Sequence, residues 1–435
     1  MAVSAPEQRR HRRPARRLAL LGGMTTWGDC AEALRLLADP RRLAQGPELA
    51  RYEREFAARI GVAHAVSFAH GRIGLYAILR GLGVGPGDEV LVPVPTHVVV
   101  ANAVRYTGAR PIFVDCLPDS WNVDLRVAGA QVTSRTRALI LQHTFGVPAD
   151  IEGALALGRR HGIPVVEDCV HALAARHRGL PVGSFGRAAF FSTEETKTIS
   201  TTMGGMAVTD DAALATSLAR MQARCAWPER RLVARYVLKL LGYHALTQPR
   251  LHRYTREVYE ALGRRNPLPA ATSPAERRGE RPAGYEQRLG NAQAALGLRQ
   301  LGRLDANVEH RRRIADIYAA GLGAARTGPV LAEDGDEHAP ARFPLHVPDR
   351  EAVASAIAPF AVPGRWFTSV LEEAQSPTLV GYQHGSCPVA EDAARHLLNL
   401  PTHPRVKPSD ARAIVAAASA ALAPQQRDLV AAGGR

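Results

Sequence analysis

From about residue 48 to residue 224 the apolar residues switch repeatedly between two periods. Spacing of three to four predicts helices over Glu48–Ile60, Gly71–Leu82 and Val98–Tyr106. Short apolar runs between them predict strands over Ala65–Phe68, Glu89–Pro93, Pro111–Asp115, Ala138–Gln142, Ile163–Glu167, Ala188–Ser192 and Gly205–Thr209. The turn Gly83–Asp88 launches the second of these. Strands of this apolar kind, separated by helices, imply an α/β fold with a largely parallel sheet, which places ligands at the carboxyl ends of the strands.

Residues 225–283 interrupt the alternation. Arg230–Leu241 is basic and aliphatic, Pro249–Leu262 is basic with Tyr254 and Tyr259, and Asn266–Pro282 reads as a loop. Such an insertion is either a surface-binding element or a helical hairpin packed on its own protein. Beyond it, Gln293–Leu301 and Val308–Ala325 read as long helices, Arg342–Val347 as a strand, and Asp349–Pro359 and Ser409–Leu422 as helices. The expected organisation is a basic arm and lead-in (1–47), a large domain (48–300, carrying the insertion 225–283) and a small C-terminal α/β domain (301–435).

Hydrophobic residues at 46% and charged residues at 22% allow a large core, and no apolar run reaches the length of a membrane span. The net charge of +14 admits nucleic acid, an anionic membrane surface or a phosphate-bearing substrate. No nucleic-acid motif accompanies it, which argues against the first. Peripheral membrane contact would fall to the insertion. Arg9, Arg10, Arg12, Arg13, Arg16 and Arg17 precede only the short apolar stretch Leu18–Leu21, so the N-terminus reads as a solvated arm of a cytoplasmic protein rather than a signal peptide. The five cysteines are dispersed and form no disulfide or zinc pattern. The spacing of His161, Asp168, His171 and His177 fits no standard metal-ligand set, so no metal is expected.

Asp168 ends a buried-looking strand, and Lys197 follows the next strand on a turn. That pair suits pyridoxal phosphate (PLP). The lysine amine condenses with the cofactor aldehyde, and the acid keeps a proton on the pyridine nitrogen. Four ordered blocks surround the pair: Val166–Leu173 with Gly183–Gly186, Ser192, Lys197 and Gly204–Gly205; Gly83–Pro93 with Ala101–Ala103; Gly284–Arg288 with Gln293–Gly297, Asp305 and Arg311–Ile314; and Cys387–Glu391 with Leu400–Pro404. Together they resemble the DegT/DnrJ/EryC1/StrS family of PLP-dependent sugar aminotransferases, of fold type I.

The resemblance implies a role for each matching position. Lys197 would carry the cofactor and move a proton between substrate and cofactor carbons, and Asp168 would pair with the pyridine nitrogen. Ser192 and the amides of Gly71 and Arg72, at a helix N-terminus, would bind the phosphate. Four positions depart from the family pattern. Arg72 stands where threonine is usual beside the phosphate, His97 where an aromatic stacks on the ring, and His171 where glutamine approaches the phenolic oxygen. Glu286 stands where asparagine reaches the phosphate from the neighbouring subunit. A carboxylate there repels the phosphate unless Arg72 compensates by pairing with Glu286 or the phosphate; alternatively Glu286 turns away and Gln287 or Asn291 serves. His143 and Glu194, near strand ends, together with Arg288 and Trp366, are candidate substrate contacts.

The implied activity moves an amino group from glutamate or glutamine to a keto-sugar, expected to be nucleotide-linked, with pyridoxamine phosphate as the intermediate cofactor form. The implied assembly is a homodimer with the active site at the interface. Alternatives are an aminotransferase for a cyclitol ketone or another natural-product carbonyl, a PLP-type sugar dehydratase, which Lys197 argues against, and a non-catalytic binding protein.

Overall fold

The protein was studied as a computed structural model, which describes residues 16–20, 22, 24–252, 254–255, 271–323 and 335–432, with side chains as far as residue 423. Seven strands form the central sheet: β1 (His64–Phe68), β2 (Glu89–Pro93), β3 (Arg110–Val114), β4 (Thr136–Gln142), β5 (Val165–Asp168), β6 (Ala188–Ser192) and β7 (Gly205–Thr209). Their order is β1-β7-β6-β5-β4-β2-β3. Strands β6, β5, β4, β2 and β3 pair in parallel, while β7 lies antiparallel to both of its neighbours.

Alternate residues of these strands supply two different cores. Val90 and Val92 of β2, Ala138 and Ile140 of β4, and Ala188 and Phe190 of β6 enter one cluster. Leu91, Leu139, Leu141, Ala189 and Phe191 enter the other. Both faces of the sheet are therefore covered, which is why its strands read as continuous apolar runs rather than as apolar–polar alternation. Asp124, Asp150 and Asp211 each accept an amide from the first turn of the helix that follows, so the crossover helices start where the sequence offers a cap.

The expected boundaries of Glu48–Ile60, β2, β6 and β7 coincide with the observed ones. The helix expected from Val308 begins at Leu304 and runs to Leu322, and Ala325 lies outside the described residues. Its first turns, Leu304 and Val308, enter the core under the central sheet. Its later residues Ile314, Ala315, Tyr318 and Leu322 enter a third core, under the antiparallel pair Arg342–His346 and Leu397–Pro401.

Three expectations require correction. Residues 16–20 are not a solvated stretch. Leu18 is buried in that third core, its N–H donates to Phe360 O at 2.8 Å, and its carbonyl accepts from Val362 N at 2.9 Å. The segment expected to be a loop contains a helical turn, Pro274–Arg277, closed by a reciprocal cap between Ser273 and Glu276. The insertion's first helix extends to Leu246, and it buries Val233, Val237 and Leu240 in a cluster with Ala33, Leu36 and Leu296. The described part of the insertion thus packs on its own protein. Most of Pro249–Leu262, with Tyr259, lies outside the described residues. No helix among the described residues is long and apolar enough to cross a membrane.

Candidate active site

The carboxyl ends of β1, β2, β4, β5 and β6 surround a cavity of about 290 Å³. Each strand delivers its contribution on leaving the sheet: Gly71 and Arg72 after β1, His97 after β2, Gln142 at the end of β4, Asp168 at the end of β5, and Ser192 and Lys197 after β6. This is where strand polarity places ligands in sheets of this kind.

Asp168 is held by what lies behind it. The neighbouring Glu167 points to the opposite face and accepts from Gly183 N (2.7 Å), Phe185 N (2.8 Å) and Gly186 N (2.7 Å), with His143 Nε2 at 3.1 Å. These bonds hold the Glu167 carboxyl below the usual carboxylate range despite its burial. Asp168 Oδ1 accepts from Val170 N at 3.1 Å, while Oδ2 is buried without a hydrogen-bond partner among the described residues. Burial raises the Asp168 pKa to about 6. A buried acceptor without a donor is costly, and a ligand N–H aimed at Oδ2 would relieve it.

Lys197 sits on a loop tied down on three sides. Thr193 and Thr201 bridge its ends through their hydroxyls at 2.7 Å. Ser200 N donates to Gln300 Oε1 at 2.8 Å, and Asn307 Nδ2 donates to Thr198 O at 2.9 Å. From the insertion helix, Tyr236 O accepts from Thr202 Oγ1 at 3.2 Å and Lys239 pairs with Glu195 at 2.6 Å. Lys197 Nζ makes no ion pair among the described residues; it lies 4.7 Å from the centre of the Trp366 ring. Burial, with the charge of Arg342 adding to it, brings its pKa down to about 8 against the opposing pull of Glu194 and Asp168. An amine with that pKa has roughly a tenth of its population unprotonated at pH 7, far more than an ordinary lysine, and so offers a usable nucleophile.

The anion end of the cavity is a helix N-terminus. His70 caps Gly71–Gly81 without a side-chain bond. Two glycines let the turn approach the sheet. A Cβ on Gly71 would lie 2.8 Å from Phe191 O, and one on Gly205 would lie 2.2 Å from Gly71 N. First-turn amides and the Ser192 hydroxyl consequently face the same space.

His97 lines the cavity, and its Nδ1 accepts from Val99 N at 3.4 Å. Burial first, then the charges of Lys197, Arg72 and Arg277, brings its pKa down to about 3, so its approach to Glu373 at 3.7 Å is between a neutral ring and a carboxylate. His171 packs edge-on to Trp366 at 4.7 Å, and its buried Nδ1 has no partner among the described residues. Glu194 lines the cavity and also caps its own turn, accepting from Thr196 Oγ1 at 2.6 Å.

Other expected residues are engaged differently or lie elsewhere. Arg72 lines the cavity but does not pair with Glu286; its Nε lies 2.7 Å from buried Glu276, in the capped turn within the insertion. Glu286 pairs with Arg281, and Gln287 Nε2 donates to Gly284 O at 3.0 Å. Asn291 is occupied by Glu48 and Arg42. Arg288 lies over the Trp227 ring at 4.3 Å, and none of Glu286, Gln287 and Arg288 lines the cavity of its own chain. His143 is fully buried against Glu167 and Ala149 N, away from the cavity. Sequence reasoning missed Arg342, Glu372 and Glu373, which line the cavity from distant segments.

An amine-bearing loop, an unpartnered strand-end carboxylate and an anion site on one cavity are what an enzyme of the PLP-dependent class needs. The chain belongs to the DegT/DnrJ/EryC1/StrS aminotransferase family, whose model matches residues 28–419. It is 29% identical over 395 residues to the spore coat polysaccharide biosynthesis protein SpsC of Bacillus subtilis, covering 86% of this chain and 90% of that protein. It is 31% identical over 364 residues to a UDP-N-acetyl-3-dehydro-alpha-D-glucosamine 3-aminotransferase of Acidithiobacillus ferrooxidans, covering 82% of this chain and 83% of that one. The solved structure of DesV from S. venezuelae superimposes with a TM-score of 0.70 at 28% identity, covering 91% of this chain and 94% of DesV.

Proposed function

We propose that this aminotransferase moves an amino group from glutamate or glutamine to a keto group on a nucleotide-linked sugar, using PLP held in the β1–β6 cavity. The observation that carries the reading is the juxtaposition of Lys197 and the unpartnered Asp168 Oδ2 across that cavity. PLP, when bound, supplies an electron sink for the bond made labile at the substrate carbon. Asp168 Oδ2 would accept the pyridinium N–H and keep that nitrogen protonated. The first-turn amides of Gly71 and Arg72 and the Ser192 hydroxyl hold the phosphate. His97, kept neutral, and His171, with its unpartnered Nδ1, line the same cavity and would help to hold the bound cofactor. Lys197 Nζ takes the proton from the donor carbon and returns it to the acceptor side.

The relatives support the sugar assignment: one is named for a UDP-linked 3-dehydro sugar and others for GDP-perosamine synthesis. The net charge of +14 suits a diphosphate-bearing substrate. Because Glu286 and Gln287 face away from their own cavity, we infer a homodimer in which each copy closes the other's site. We also place the boundary between large and small domains near residue 300, at the helix that joins the two cores.

The test is mass-spectrometric detection of amino-sugar product when the PLP-loaded enzyme is given L-glutamate or L-glutamine with UDP-, GDP- and dTDP-linked keto-sugars. Product from one such panel is expected. If a donor is consumed but only non-nucleotide ketones such as cyclitols are aminated, the nucleotide-sugar reading is overturned.

A further inference from the structure

Arg342 begins the strand Arg342–His346, and its side chain opens into the cavity. The residue is only 7% exposed. Its guanidinium makes neither an ion pair nor a hydrogen bond among the described residues. What it has is the Trp366 ring, 4.3 Å from Cζ, the same ring that Lys197 Nζ approaches at 4.7 Å. A buried guanidinium normally keeps its charge by pairing with a carboxylate. Here Glu194 and Glu372 act on it only through space. Glu372 is itself engaged by Thr368, accepting from its N–H at 2.6 Å. The contrast with Arg72, which carries its own carboxylate partner, is direct.

A cation with no carboxylate partner among the described residues, beside the reactive amine, calls for an anion brought by the substrate. The amino-acid donor carries one two bonds from the nitrogen that must reach Lys197. A nucleotide diphosphate is separated from the keto carbon by much of a sugar ring. We propose that the Arg342 guanidinium, braced over Trp366, docks the α-carboxylate of the amino-acid donor. The planar fork suits a carboxylate, and the indole keeps the guanidinium oriented while the site is empty of donor. The inference rests on the transamination reading above and adds the recognition residue for its first half-reaction.

The experiment follows the PLP absorption of the holoenzyme in single-turnover titrations with L-glutamate, L-glutamine and their α-amides. The wild type is expected to favour the free α-carboxylates over the α-amides by about tenfold or more, the ratio expected from a charge-assisted hydrogen bond. Arg342→Gln is expected to raise the half-saturating concentration of both free acids by about the same factor, to lose the discrimination, and to leave the KM of the keto-sugar unchanged. Arg342→Lys, which keeps the charge without the fork, is expected to fall between them. A wild type that accepts α-amides as readily as acids overturns the subsite, whatever the variants do. So does an Arg342→Gln enzyme that weakens only the keto-sugar, which would assign the guanidinium to the substrate phosphates. A wild type unmoved by any amino acid removes the transamination reading itself and the subsite with it.

Discussion

Two titratable residues are held in states that suit a bound cofactor better than an empty site. Asp168, with a pKa raised to about 6, is ionised in the folded apo-protein above that value at the expense of stability. That penalty is complete above about pH 6 and vanishes as pH falls below the unfolded value of about 3.9. Asp168→Asn is therefore expected to raise apo-protein stability at pH 8 by on the order of 2–3 kcal/mol, with the gain disappearing by pH 4. The same variant is expected to lower kcat by about a hundredfold or more, since the neutral amide cannot hold the pyridine proton. Denaturant titration and steady-state kinetics check the two halves. Lys197, lowered to about 8, gives the opposite sign. Its cost is present below about pH 8 and is relieved as pH rises to the unfolded value near 10.4. Lys197→Met is expected to abolish that rise in apo stability between pH 8 and 10.4, measured by urea unfolding.

The residues that could be read from the chain were those at strand ends. Asp168 and Lys197 follow buried runs that announce themselves, so their chemistry was visible before their distance was. Arg342 was not, because an arginine at the start of a strand reads as a solvated end. Only the packing of that strand against the loop around Trp366 turns it inward. Glu276, the partner of Arg72, lies late in the insertion, in a stretch rich in proline and arginine where no periodicity signals a buried turn.

At the scale of elements, the turn behind β5 depends on Glu167. Its carboxylate gathers three amides and a histidine in a fully buried position. Glu167→Gln keeps the volume but replaces an acceptor oxygen with a donor facing amide donors. It is expected to lower stability by about 3 kcal/mol and to weaken PLP binding by displacing Asp168. A thermal melt with and without PLP would show both, and an unchanged melt would remove Glu167 as an anchor. The insertion helix is the second element with a definite role. Its apolar spacing was legible from Arg230 to Leu241; its packing partner was not, since nothing in its pattern distinguishes a core from a membrane surface. Leu240→Ala is expected to cost about 2–4 kcal/mol through the cavity it leaves. Lys239→Ala removes an ion pair whose two side chains are about a quarter exposed, and is expected to cost about 1 kcal/mol. Denaturant midpoints separate the two.

For the whole molecule, strand order and polarity set everything else. Five strand ends converge on one cavity because only β7 runs against its neighbours. The α/β class was legible because buried parallel strands are apolar throughout. The sheet order was not, because period alone does not say which strands adjoin. The helix Leu304–Leu322, shared between two cores, links the central sheet to the segment bearing Arg342, so movement of one body would be felt at the guanidinium. A dimer is expected to sediment at twice the chain mass at micromolar concentration, and a monomer with full activity would contradict the shared site.

The central claim is that Lys197 and Asp168 together hold PLP and pass an amino group through it. The most direct measurement is the visible absorption of the purified protein reconstituted with PLP, followed during addition of L-glutamate or L-glutamine. The account predicts a visible band that fades with one donor, is restored by the matching keto acid, and is absent from Lys197→Ala. A protein that binds no PLP, or a band that persists in Lys197→Ala, would contradict it.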